Sequence, residues 1–178
     1  MTPREQPSPM DAPAPGAVTP VLRSLRVLVG GVAGGIAVMA LALAFILTFS
    51  PPPTVAVAGL LALGIAVHLV ARVVGYRASP VPRRAAPEVA SAQAMRVFRS
   101  LLMLRMAMSE SVVLVAMVLA FVTPARSWFL VALGAALSLL LLALHVWPSR
   151  STGERVVASL ESDGAVTGLG AVLGWDGR

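Results

Sequence analysis

The chain predicts an all-α membrane protein whose four transmembrane helices form an up-down bundle, and three observations carry that prediction. Its 178 residues are 57% hydrophobic and only 12% charged, with a mean hydropathy of +0.85, whereas an ordinary soluble domain carries roughly 25% charged residues. Four apolar runs have the length of about 20 residues that a hydrocarbon layer demands of a helix. The arginines gather in the connections between those runs. All 14 basic residues are Arg, which reads as a high-GC codon bias, and no aromatic residues interleave them. The net charge of +6 therefore points to topology signals and contacts with anionic lipid, and away from nucleic acid. The chain has no cysteine, hence no disulfide framework or thiolate chemistry.

Residues 1–22 read as a disordered cytoplasmic tail, because six prolines among small and charged residues leave too little apolar surface to offset the entropy of ordering. The transmembrane domain is placed at 23–149. Its first span, about 27–49, is too long for a signal-peptide core. Gly30, Gly31, Gly34 and Gly35 give it two overlapping GxxxG spacings, expected to pack against a neighbouring span. Three consecutive prolines then stop the helix before a second span, about 55–74. His68 and Arg72 lie one turn apart near its end, followed by Tyr76 as an expected interface anchor. Pro87 and Glu88 form a favourable helix start, so the third helix is expected to begin outside the membrane and to span it over about 99–123. The fourth span, about 128–147, is bracketed by Trp128 and Trp147 as interface anchors.

Residues 150–178 read as a cytoplasmic tail. Ser151 and Glu154 have capping-box spacing, and a short amphipathic helix over 152–162 is expected to lie along the membrane with Leu169, Leu173 and Trp175. Of the arginines in the connections only Arg126 falls on the far side, so the positive-inside rule puts both termini in the cytoplasm of a bacterial cell, with the spans in its inner (plasma) membrane.

The third span carries the chemistry. At about 1.5 Å per residue, Arg105 lies about 9 Å beyond Arg99 and Glu110 about 16 Å beyond it, near the middle of a core about 30 Å thick. A carboxylate at that depth needs a partner, a proton or water. The five-residue separation sets Glu110 and Arg105 about 140° apart, so they are poor partners for one another. His68, on the antiparallel second span, comes out level with Arg105. Glu110, Arg105, His68 and Ser109 together make the candidate intramembrane polar site, with Arg105 expected to snorkel to the interface.

From Arg99, the pattern R-x-x-L-x-L-x-x-A-x-x-E, followed by Phe121 in V-L-A-F, resembles the carboxylate helix of the rotor-ring (c) subunits of rotary ATP synthases. The likeness covers about 23 residues and implies that Glu110 is an ion-exchanging carboxyl. The chain departs from that family in its two additional spans, in Arg105 at an apolar ring position, and in a connection without Arg-Gln-Pro. As a whole it resembles the small four-span membrane proteins of actinobacteria, which implies the architecture and no activity.

Three functions remain in view. The first is a non-enzymatic accessory or assembly factor of a membrane complex, with Glu110 buried against a partner; the alternative is a small proton-coupled transporter or exporter with Glu110 as its proton-exchanging carboxylate; the third is a structural, lipid-interacting protein. The expected partners are membrane lipid and either another membrane protein or a second copy. An enzyme is not expected, because no nucleophile-base pair, phosphate-cradling loop or metal-ligand cluster is visible, and no cofactor or metal is implied.

Overall fold

The structure is a computed structural model that describes residues 20–83 and 86–173. Residues 1–19 of the expected tail and Trp175 lie outside the described residues. The described chain is all helical: α1 (Pro20–Leu43), α2 (Thr54–Val73), α3 (Pro87–Val122), α4 (Trp128–Leu141) continued by a π turn (Leu142–Val146), α5 (Arg150–Leu160) and α6 (Leu169–Val172). Four of these segments are long and apolar enough to cross a membrane, with α4 and its π turn counted as one.

The first helix differs from its expected span at both ends. It starts at Pro20, taking in residues assigned to the tail, because Leu22, Leu25 and Val29 already form a buried stripe at helical spacing. It stops at Leu43, and the following residues close in tight turns before Thr48 pairs with the α3–α4 connection. There the Thr48 backbone N–H donates to Arg126 O (3.0 Å), and that of Trp128 donates to Thr48 O (2.8 Å). The hydroxyls of Thr48 and Ser50 both donate to Ala125 O, and that of Ser127 donates to Ser50 O. The two short connections are thereby locked together at one end. Trp128, expected at an interface, also donates its indole N–H to Ala40 O of α1 (2.8 Å) and stacks near Phe49.

The central helix is α4. It packs most extensively on α3 and also touches α1 and α2. Glycine makes the α3 contact close: a Cβ built on Gly134 would lie 2.2 Å from the Ala116 Cβ and 3.3 Å from the Val113 Cα. Ser138 adds a polar clasp, donating to Ser109 O (2.7 Å) and accepting from Val113 N–H (3.0 Å), the two ends of one turn of α3. The leucine run 137–142 is partly internal, since Leu141 and Leu142 are buried.

The glycine stripe of α1 does not pack as expected. All four glycines are exposed, and a Cβ on any of them would meet no atom within 4 Å other than its own stretch of helix backbone. The partners of α1 are instead reached through Leu25, Val29, Ile36 and Ala40 on its opposite face.

At the other end the α2–α3 connection, the start of α3 and the helices after α4 form a cap. The apolar face of α5, expected against the membrane, is turned into the protein. Val156, Leu160, Leu169 and Leu173 are buried in a core shared with Val81, Ala90, Ala94 and Phe98. Val81 N–H donates to Leu160 O (3.0 Å), Ala78 N–H donates to the Ser159 hydroxyl (2.9 Å), and Arg83 donates to Asp163 O. The helix cap is Ser149 rather than Ser151: the Ser149 side chain accepts from Thr152 N–H, and Glu154 pairs with Arg150 instead. Ser149→Ala is expected to destabilise this cap by about 1 kcal/mol, measured as earlier loss of the α5 amides from protection in hydrogen exchange.

Candidate intramembrane polar site

The packed face of α3 runs through Phe98, Leu102, Arg105, Ser109, Val112, Ala116 and Ala120, all buried and spaced three or four apart. Arg105 therefore points into the protein, and its side chain is 0% exposed. It does not snorkel to the interface. Its Nε donates to Leu101 O one turn back (3.1 Å), and its guanidinium lies over the Tyr76 ring, 4.6 Å from the centroid. Room for the stem comes from Gly75, where a Cβ would lie 2.9 Å from Arg105 Cγ.

Tyr76 is itself buried, which corrects its assignment as an interface anchor. Its hydroxyl is 3.2 Å from His145 Nδ1, and His145 Nε2 is 2.9 Å from His68 Nδ1. One tautomer assignment runs every proton the same way: the phenol O–H donates to His145, whose Nε2–H donates to His68. The reverse assignment satisfies both bonds equally well. His145 sits in the π turn, whose wider ring is closed by Trp147 N–H donating to Leu142 O (2.8 Å), and turns of this kind are frequent at functional sites. Arg155, from α5, places a second guanidinium 5.3 Å from the Tyr76 ring centre.

Of the four residues expected to form the site, the structure brings Arg105 and His68 into one network through Tyr76 and His145, and leaves the other two out. Ser109 donates its hydroxyl to Arg105 O (2.9 Å), and Ser111 likewise bonds Met108 O (2.7 Å), so both serve their own helix. Glu110 is half-buried at the edge of the packed face, between exposed Ala107 and Leu114, and has no hydrogen-bond or ion-pair partner among the described residues.

His145 was not among the residues the sequence placed in the site. The available signal was its register: it follows Ser138 by seven residues, on the face where Gly134 and Ser138 already meet α3. Arg155 and Tyr76 gave no comparable signal, since both lie beyond the ends of the spans. Among the described residues no three or more metal-binding side chains are gathered in one place. No family model, curated protein or solved structure compared with the chain matches it.

Proposed function

We propose that the chain is a non-enzymatic accessory or assembly component of a membrane complex, an up-down four-helix bundle in a bacterial cytoplasmic membrane with both termini in the cytoplasm. The observation that carries this reading is Glu110, a half-buried carboxyl at mid-span depth without a partner among the described residues. In hydrocarbon such a group takes its hydrogen bond from a neighbouring helix, and an intramembrane ionisable residue is a site of function by default. The open glycine face of α1 supports the same reading, because a partner backbone can approach it closely.

Native gels of the full chain extracted in mild detergent test the proposal. The wild type is expected to run in a complex larger than the monomer. An interhelical polar contact of about 1–2 kcal/mol predicts that Glu110→Ala weakens the complex about five- to thirtyfold, while Glu110→Gln, still able to hydrogen-bond, keeps most of it. A complex undiminished by Glu110→Ala, or a monomeric wild type, contradicts the proposal.

The second reading is a proton-coupled transporter or exporter, favoured by the partial exposure of the Glu110 side chain. There Glu110→Gln separates the two, because it removes the exchangeable proton and abolishes substrate-dependent proton flux in reconstituted vesicles while sparing assembly.

A further inference from the structure

The side of α3 turned away from Arg105 and Ser109 carries a second line of residues. Ser100, Met103, Ala107, Glu110, Leu114 and Met117 follow one another at alternating spacings of three and four, and none of them is buried. Such spacing averages about 3.5 residues, the repeat that keeps one seam of a helix against a parallel neighbour in a left-handed crossing. Lipid asks only that the residues it covers be apolar, and the flank of α3 with exposed Leu104, Val115 and Val122 meets that demand. The seam does not. It gathers Ser100, the small Ala107 and Glu110, and Gln93 continues it toward the start of the helix, seven residues before Ser100.

Resting on the reading of Glu110 as an assembly residue, we propose that this seam binds a second copy of the chain, α3 against α3. Copies inserted in one membrane share one orientation, so a two-fold axis along the membrane normal sets the two α3 helices parallel and brings each seam residue against itself. The polar groups of the seam fit that rule. A side-chain amide, a hydroxyl and a carboxyl pair that shares one proton are each donor and acceptor at once, so Gln93, Ser100 and Glu110 all complement their own copies. A different protein would have to supply matching groups at each of these levels, whereas a second copy holds them in register. Ala107, one turn from Glu110, lets the backbones approach closely where the carboxyls meet. Arg96, which repels its copy, is exposed and lies toward the aqueous end of the seam, where salt screens it.

The chain has no cysteine, so single introduced cysteines report the contact without background. In membranes carrying the full chain, mild oxidation is expected to convert Met103→Cys, Ala107→Cys and Leu114→Cys to covalent dimers in at least about fivefold higher yield than Leu104→Cys, Val115→Cys and Val122→Cys, because a disulfide forms only where two Cα atoms come within about 7 Å. All six positions are exposed, so the substitutions keep the fold. Adding Glu110→Ala to Ala107→Cys is expected to weaken dimerisation about five- to thirtyfold, read from the dilution in lipid at which cross-linking is half complete, while Glu110→Gln keeps most of it. Equal cross-linking on and off the seam, or none on the seam, overturns the proposal. If the wild type then still runs in a larger complex on native gels, the partner is a different protein and the assembly reading stands; if it runs as a monomer, both fall.

Discussion

Replacing Gly134 by alanine is expected to cost about 1–3 kcal/mol, the usual penalty for overpacking a well-filled contact, and to lower the melting temperature of the bundle in detergent. The added methyl would sit 2.2 Å from the Ala116 Cβ, with the Val113 Cα and the Val112 carbonyl also close behind it. No flexible side chain can swing aside here, so α3 and α4 must separate. Their separation also stretches the Ser138 clasp on Ser109 and Val113. Close packing carries much of helix association where lipid is as apolar as the side chains, so the largest interface in the bundle is the most sensitive place to widen it. The compensating exchange Gly134→Ala with Ala116→Gly is expected to recover most of the loss. Equal stability of Gly134→Ala and wild type would mean that α3 and α4 do not meet at this residue.

Tyr76→Ala is expected to cost about 3–5 kcal/mol, the range for removing a large buried aromatic side chain. The ring supports the Arg105 guanidinium on its face and the hydroxyl joins it to His145, so truncation leaves a cavity beside a buried cation. Tyr76→Phe keeps the ring and removes only the hydrogen bond, which predicts a loss of about 1 kcal/mol. Chemical or thermal denaturation of the two variants side by side reads the difference. Similar losses in both would place the whole contribution in the hydroxyl and contradict the stacked geometry.

The spans were legible from hydropathy, and the start of α3 at Pro87 was legible from the proline and acid at its first turn. The level match between His68 and Arg105 was also readable, because alternating helices bring the end of one span beside the start of the next. The faces were less legible. Glycines at GxxxG spacing invite close approach, yet that spacing does not say from which side of the molecule the approach comes, and in α1 the bulky Leu25, Val29 and Ile36 took the internal face. Sequence depth made Glu110 the organising residue. Helical register gives that place to Arg105 and Ser109, which continue the packed stripe, while Glu110 falls about 100° to the side of Ser109. The cap formed by α5 and α6 was missed for a related reason: an amphipathic helix next to a bilayer fits a membrane surface and a protein surface equally well, and only the loop carbonyls and hydroxyls at Ala78, Val81, Ser159 and Leu160 decide for protein.

The central claim is that Glu110 is a carboxyl left open by its own chain for a partner outside it. Labelling with a hydrophobic carbodiimide, which modifies protonated carboxyls accessible from an apolar phase, tests this most directly, with Glu110→Gln as the control. Compared at one pH, the purified protein is expected to be labelled at Glu110, and the same residue in native membranes is expected to be protected by its partner. Absence of labelling in the purified, folded protein would show that Glu110 is already shielded within the bundle, and labelling of equal extent in both settings would show that no partner covers it; either result contradicts the claim.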